Sequence, residues 1–299
     1  MKELSIIIVN YNTKAPLSKT LEAIHKNLKD LDYEIVVVDN ASSDGSAESI
    51  KKYYPSVKLI ALDYNAGFAK GNNEGARHAS GRYLLILNHD TYVPKGSVEK
   101  LITIKKSFPE YGIVAPLIFN PDKSLQLSWG IDLHIFSELF LKYFSEKLFR
   151  IHFKLKKGEV SRNVDWVSGA CFLIERELYE RIGGFDENFF IYIEDADLGR
   201  RIRRLGYQIH LTSEADIIHY LGQSTSKYPR QSLLEAKKSQ LYYYCKHNSK
   251  LALRILRFYL LIRFFFKRLI YYFKGDSEEC ETCEKVLSVI REFNCEDYS

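Results

Sequence analysis

The chain opens with apolar blocks separated by polar, helix-compatible stretches. Leu4-Ser5-Ile6-Ile7-Ile8-Val9 is a β-branched run, the pattern of a parallel strand buried on both faces. Ala15 to Leu28 then has helical character, and Glu34-Ile35-Val36-Val37-Val38 predicts a second buried strand. The rhythm continues with a helix over Ser46 to Tyr53, a strand over Val57 to Leu62, a helix over Gly67 to Ala79 and a strand over Arg82 to Leu87. Ser97 to Lys106 and Gly112 to Phe119 extend it. Such alternation predicts an α/β fold: βαβ units in a mostly parallel sheet flanked by helices, Rossmann-like in its first half.

Between Asn120 and Val164 the rhythm breaks. Trp129, Phe136, Phe140, Tyr143, Phe144, Phe149 and Phe153 lie there among Lys142, Lys147, Arg150, Lys154, Lys156 and Lys157. This stretch reads as an insertion of helices and loops over one end of the sheet. Regular α/β organisation resumes near Val164 and runs to about Thr225, and only helix is expected from Tyr228 onward. The predicted organisation is thus an α/β domain over 1–225, with its insertion at about 120–164, and a C-terminal helical region over 226–299.

Ligands of open α/β sheets bind outside the carboxyl ends of the strands. Here those ends read Asn10-Tyr11-Asn12, Asp39-Asn40-Ala41-Ser42-Ser43-Asp44-Gly45, Asp63-Tyr64-Asn65-Ala66-Gly67-Phe68 and Asn88-His89-Asp90. Residues of these types also cap helices. Four loops on one rim, each richer in polar groups than a cap requires, predict a binding site. Asp39 follows a buried strand directly, so its carboxylate has a rigid support for accepting a ring N–H. The stretch from Gly67 through Lys70 to Asn73 opens a helix whose backbone N–H groups suit a phosphate. Its glycine spacing is neither the dinucleotide fingerprint nor the P-loop. Asp90, at a strand end, is well placed to hold a divalent cation through oxygen ligands.

A second cluster follows Gly183-Gly184-Phe185-Asp186-Glu187. Glu194, Asp195 and Asp197 crowd what reads as a helix start, directly after the apolar run Phe189-Phe190-Ile191-Tyr192-Ile193. A helix N-terminus accommodates one or two carboxylates. A carboxylate beside apolar surface also gains proton affinity, which suits a general base.

Composition narrows the picture. A chain of 299 residues with 46% hydrophobic and 27% charged residues has material for a sizeable core and is not disordered. A net charge of +5 is modest, which argues against nucleic acid as a partner. Cys171, Cys245, Cys280, Cys283 and Cys295 are odd in number and late in the chain, so no disulfide framework and a reducing, cytoplasmic setting are expected. Cys280 and Cys283 have the spacing of half a zinc site, against the plainer reading of unpaired tail thiols.

Taken together, Ile6 to Asn12, Val38 to Ser46, Asn65 to Asn73, Leu87 to Asp90, Trp166 to Cys171, Gly183 to Glu187 and Glu194 to Leu198 resemble the inverting family 2 glycosyltransferases of the GT-A fold, especially their bacterial rhamnosyltransferase-like branch. The resemblance covers roughly residues 4–225, with the motifs in the family's order. It implies that Asp39 contacts the nucleotide base, with Asn10 lining the same pocket and Lys70 near the diphosphate. Asn12, Asn65, Gly67, Asn73, Asn88 and His89 complete the nucleotide-sugar site. Asp90 matches the last residue of the family's acidic metal motif, although Asn88 stands where many relatives have its first Asp. A late His completes the metal shell in some members, and His219 is the candidate here; the cofactor would be Mg2+ or Mn2+. Asp195 matches the catalytic base, with Glu194 beside it. Trp166, Gly169 and Ala170 would line the acceptor side. The implied donor is a dTDP- or UDP-sugar, rhamnose foremost. The implied acceptor is a glycan or lipid-linked glycan used for cell-surface polysaccharide.

Residues 250–274 add one more feature. Placed at about 100° per residue, Leu251, Ile255, Phe258, Tyr259, Ile262, Phe265, Phe266, Leu269, Ile270 and Phe273 fall on one charge-free arc of roughly 140°. Basic residues interrupt the segment too often for a transmembrane span. A wide apolar face with basic flanks suits a helix lying in the membrane surface, peripheral on the inner face of the cell membrane. The alternative is packing of the same arc against the α/β domain or a second subunit in a homodimer. Two other function classes compete: an inactive sugar-nucleotide-binding or membrane scaffold protein, and a nucleotidyltransferase. The second fits poorly, because Asn10-Tyr11-Asn12-Thr13-Lys14 is no glycine-rich phosphate loop.

Overall fold

A computed structural model describes residues 2–135, 161–220 and 228–298. Of the predicted insertion at about 120–164, residues 136–160 lie outside the described residues, as does the expected end of the α/β part at Thr225. The elements run β1 (Leu4–Asn10), α1 (Lys14–Asn27), β2 (Tyr33–Asp39), α2 (Ser46–Tyr53), β3 (Lys58–Ala61), α3 (Gly67–Arg77), β4 (Tyr83–Leu87), β5 (Thr91–Tyr92), α4 (Ser97–Ser107), β6 (Tyr111–Phe119) and β7 (Trp129–Gly130). Next come β8 (Arg162–Val164), β9 (Trp166–Val167), β10 (Cys171–Glu175), α5 (Arg176–Arg181), α6 (Glu194–Arg204) and β11 (Gln208–His219). Three helices follow, α7 (Pro229–His247), α8 (Lys250–Lys274) and α9 (Ser277–Glu292), and then a 3-10 turn at Cys295–Tyr298.

The main sheet has the order β3-β2-β1-β4-β10-β6-β11-β5, with β8 also on β11. β1, β2, β3 and β4 pair in parallel, and β6 and β11 do likewise. Only β10, wedged between β4 and β6, and the short strands β5 and β8 pair antiparallel. Strand order reverses between β1 and β4, which opens the crevice where α/β sheets bind ligands. Because β10 is antiparallel, its start lies at the rim where its neighbours end: Cys171 faces Leu87. β11 finishes at the same rim, with His219 opposite Thr91.

Side chains alternate across the sheet. Ile7, Val36, Leu84 and Ile86 join one core with α3, α5 and α6, while Ile6, Ile8, Ile35, Val37 and Leu85 join another with α1, α2 and α4. Both faces are therefore apolar, as the unbroken β-branched runs require. The first core does not stop at residue 225: Leu241, Tyr242, Tyr243 and Tyr244 of α7 and Leu256 and Leu260 of α8 belong to it.

Ser249 caps α8 by accepting from the Ala252 N–H, and Gly275 ends it in a left-handed conformation. Leu253, Leu256, Leu260 and Phe264 form its buried stripe. The arc singled out in the sequence points elsewhere: Leu251, Ile255, Phe258, Ile262, Phe265, Phe266, Ile270 and Phe273 are all exposed, Phe273 by 82%. Of the same arc, Tyr259 packs against the first core and Leu269 is half-buried, so among the described residues the α/β part leaves most of the arc uncovered. Among the described residues no helix is long and apolar enough to cross a membrane.

The tail corrects the reading of the cysteines. Cys245 of α7 and Cys295 are disulfide-bonded, with Cα atoms 5.9 Å apart, where no disulfide was expected. Fifty residues separate the two in sequence, so their proximity is a product of helix packing and not of spacing. A zinc site completed by Cys295 is excluded with it, and among the described residues no group of three or more His, Cys, Asp or Glu side chains gathers to hold a metal.

Candidate active site

The ends of β1 and β2 are cross-linked. Asn10 is fully buried and pairs in register with Asp39. Its Nδ2 donates to Asp39 Oδ1 (2.7 Å) and to Ser42 Oγ (3.0 Å), and its Oδ1 accepts from Thr13 Oγ1 (2.6 Å). The Ser42 N–H donates to Asp39 Oδ2 (2.9 Å). Each carboxylate oxygen keeps a second lone pair for a ligand N–H. Asn12, with φ at 53°, closes the loop: its N–H donates to Ser42 Oγ and its Oδ1 accepts from the Ser43 N–H.

Asn88, Asp90 and His219 meet at the ends of β4 and β11. Gln126 sets the imidazole. Its amide nitrogen donates to Asn120 Oδ1 and the His219 carbonyl (both 2.8 Å), so its Oε1 faces His219 Nδ1 at 3.1 Å and that nitrogen carries a proton. His219 Nε2 then faces Asp90 Oδ1 at 3.0 Å and Asn88 Nδ2 at 3.2 Å. A buried carboxylate beside an imidazole nitrogen, with the ring's other N–H held by an amide, is a donor set that fits a divalent cation. Burial pushes the Asp90 carboxyl up, but the His219 ring 3.0 Å away and the neighbouring His89 outweigh it and hold the group below its ordinary value. His89 sits between the two strand ends, with Nδ1 at 3.2 Å from the Val9 carbonyl.

A short loop connects this pair to the acidic helix. The Ala170 carbonyl accepts from the Asn88 N–H (3.0 Å), and the Gly169 N–H points to Asp195 Oδ2 (3.4 Å). A Cβ on Gly169 would lie 2.8 Å from the Phe68 ring, so only glycine allows this approach. Asp195 is partly open to solvent and Glu194 is buried. Burial pushes the Asp195 carboxyl up to about 6. Burial, followed by the charge of Asp195, pushes Glu194 well above its ordinary value, and Glu194 Oε2 has no hydrogen-bond partner. The two residues before them, Tyr192 and Ile193, have φ of 71° and 69°. Left-handed backbone at a β-branched residue is strained, and strain of this kind collects at functional turns.

The other predicted residues have positioning duties. Gly67 (φ 81°) passes so close to Phe190 that a Cβ would lie 2.4 Å from its carbonyl oxygen. The Gly67 N–H is taken by Asn65 Oδ1 and the Phe68 N–H by the Phe190 carbonyl, so these two groups are not an open phosphate cradle. Asn73 donates to the Phe185 carbonyl and accepts from Tyr179 Oη and the Phe185 N–H, which ties α3 to the loop before α6. Lys70 Nζ lies 5.4 Å from the centre of the Tyr64 ring. Trp166 donates to the Ile131 carbonyl and stands in the small β7–β9 sheet, against Gly199 of α6. Sequence reasoning missed Gln126, Ser42 and the two left-handed residues. The apolar run into Glu194 was the one available signal for the last of these.

The model for glycosyl transferase family 2 matches residues 5–183, and that for the N-terminal domain of galactosyltransferase matches residues 150–222. The N-acetylglucosaminyl-diphospho-decaprenol L-rhamnosyltransferase of Mycobacterium tuberculosis is 26% identical over 82% of this chain and 85% of its own. The rhamnosyltransferase WbbL of Escherichia coli is 26% identical over 72% of this chain and 82% of its own. Among solved structures, GalNAc-T7 with UDP, GalNAc and Mn2+ superposes with a TM-score of 0.56 at 18% identity, covering 82% of this chain and 50% of that one. Staphylococcus aureus TarS gives 0.52 at 14% identity, covering 83% and 44%. Those two likenesses show the fold, of GT-A type, and this chain spans about half of each solved chain. Motifs in family order, strand ends converging on one rim and a family match over most of the α/β part lead to one conclusion: the chain belongs to glycosyl transferase family 2 and is a glycosyltransferase.

Proposed function

We propose that the chain moves a sugar, rhamnose foremost, from a dTDP- or UDP-linked donor to a hydroxyl of a glycan or lipid-linked glycan, with inversion at the anomeric carbon. The observation that carries this reading is the run of contacts from Asp90 and His219 through Asn88, Ala170 and Gly169 to Asp195. It sets a candidate cation site and a candidate base on either side of one short loop.

Asp39 accepts the ring N–H of the base, with Asn10 and Ser42 holding its carboxylate still. Asp195 takes the proton from the acceptor hydroxyl. That oxygen forms its bond to the anomeric carbon as the bond to the diphosphate oxygen breaks on the opposite side, and the electron pair leaves with the nucleoside diphosphate. Asp90 and His219 would hold a divalent cation, which neutralises charge on the leaving diphosphate. An imidazole in the donor set favours Mn2+ over Mg2+. No nucleophilic Ser or Cys is needed, which agrees with Cys171 being buried with its thiol pushed up by desolvation.

The exposed arc of α8 supports seating on a membrane surface, where a lipid-linked acceptor would be met. Lys250, Arg254, Arg257, Arg263, Lys267, Arg268 and Lys274 give the helix basic flanks and it carries no acid. The same arc is the surface a second copy would use, and light scattering beside a vesicle assay separates the two.

The test is nucleoside diphosphate release from dTDP-rhamnose and a panel of UDP-sugars, with Mn2+ or Mg2+ and with EDTA. Metal-dependent release from one donor names the sugar. The absence of both turnover and metal-dependent donor binding across the panel would overturn the assignment, and binding without turnover would favour the scaffold reading.

A further inference from the structure

Asp197 lies two residues after Asp195 on the first turn of α6, about 200° around the helix from it. Asp195 faces Gly169. Asp197 faces the other way, is completely buried, and is surrounded by cations. Its Oδ2 accepts from Arg201 Nε (2.7 Å) on the same helix. Its Oδ1 accepts from His247 Nε2 (2.6 Å) and Lys246 Nζ (2.7 Å), both at the end of α7.

Three further bonds from α7 reach the segment that leads into α6. Lys246 Nζ and Tyr242 Oη both donate to Asp186 Oδ2, at 2.6 and 2.7 Å, and Ser239 Oγ donates to the Ile191 carbonyl at 2.9 Å. Between the anchored Ile191 and Asp197 lie the left-handed Tyr192 and Ile193. A strained turn persists only where its surroundings over-determine it. Here the over-determination comes from α7, a helix beyond the stretch that carries the family motifs.

We propose that Lys246 and His247 are positioning residues for glycosyl transfer: by gripping Asp197 they set the rotation of α6 and the Tyr192–Ile193 turn, and so aim Asp195 at the acceptor. The assignment rests on Asp195 being the base. It makes the first of the C-terminal helices part of the catalytic apparatus and not only a bridge to α8. Ion pairs of this kind also occur as simple fasteners. A fastener changes how much enzyme is folded; a positioning device changes the rate of each folded molecule.

The experiment uses the full chain, with dTDP-rhamnose (or whichever donor the panel selects) and Mn2+. It measures kcat and KM for nucleoside diphosphate release, normalised to folded protein by circular dichroism. The variants are His247→Ala, His247→Gln, Lys246→Met, Ser239→Ala and, as a check on the base, Asp195→Asn. Misaiming a reacting group should cost about tenfold or more in kcat for His247→Ala and Lys246→Met, with donor KM within about twofold. His247→Gln keeps a donor for Asp197 and should recover most of that loss. Ser239→Ala removes one bond to the turn and should lose less. If His247→Ala does not fold, Lys246→Met carries the test, because that side chain is 27% exposed and sits at the edge of the network. Unchanged kcat per folded molecule in Lys246→Met and Ser239→Ala, with only a lower Tm, would overturn the proposal. Full turnover by Asp195→Asn would instead remove the base assignment, whatever the α7 variants do.

Discussion

Two sets of carboxylates stand near one rim of the sheet, and they are built in opposite ways. Asp39 ends a buried parallel strand, held by its register and by the Asn10 amide and the Ser42 N–H, and Asp90 follows another such strand with His219 Nε2 3.0 Å from its Oδ1. Glu194 and Asp195 stand at the start of a helix reached through a strained turn, where burial outweighs every group that would hold them charged. The first arrangement keeps a carboxylate charged: Asp90 is held below its ordinary value. The second raises proton affinity, to about 6 at Asp195. Charged, rigid groups suit ligand and cation binding, and a group poised near neutrality suits proton transfer. The difference teaches that the fold separates the two tasks by support: sheet register for binding, a helix start for chemistry.

The largest effect expected from this contrast is at the base. Asp195→Asn should lower kcat about a thousandfold or more while donor KM holds, as single-turnover and steady-state kinetics would show. Asp90→Ala should cost about a hundredfold and also abolish the Mn2+ dependence of donor binding, which titration calorimetry reads. Equal behaviour of the two variants would erase the distinction drawn above. Asp39→Asn should act mainly on KM, raising it about tenfold with kcat little changed.

The pH dependence sharpens the comparison. Asp195 must be ionised to accept a proton, so kcat should climb as pH rises through about 6 and then level. For stability the sign is reversed. The folded chain binds this proton more tightly than the unfolded chain does, so ionised Asp195 costs stability above its folded value, and the cost vanishes below the unfolded value of about 3.9. Asp195→Asn should therefore raise Tm at pH 8 and leave it unchanged at pH 4, measured by calorimetry. The smallest change in stability is expected on α8. Replacing Phe258, Phe266 and Phe273 with Ser should shift stability by only about 0.5 kcal/mol each, since all three are exposed, yet release the protein from anionic vesicles. Leu256→Ala, on the buried stripe of the same helix, should cost about 2–5 kcal/mol.

Much of this was legible in the chain. The apolar runs before Asn10, Asp39 and Asn88 marked strands buried on both faces, and a parallel sheet sets its strand ends on one rim, so the polar residues after each run had to converge. Seven short motifs in order were enough to name the family. The charge-free arc of α8 followed from periodicity alone, because a helix fixes which residues share a face. Local sequence did not say which face of α8 would be buried, since Leu253, Leu256, Leu260 and Phe264 are as apolar as the arc that stays outside. Nor did it reveal Gln126 behind His219, the Cys245–Cys295 bond, or Lys246 and His247 on Asp197. These contacts join residues some fifty or more positions apart, and no spacing rule reaches that far. Backbone periodicity and strand register are set by near neighbours, so the sequence determined the sheet, the rim and the family. Which distant side chains steady the rim depends on how helices dock on the sheet, and only the tertiary structure decided that.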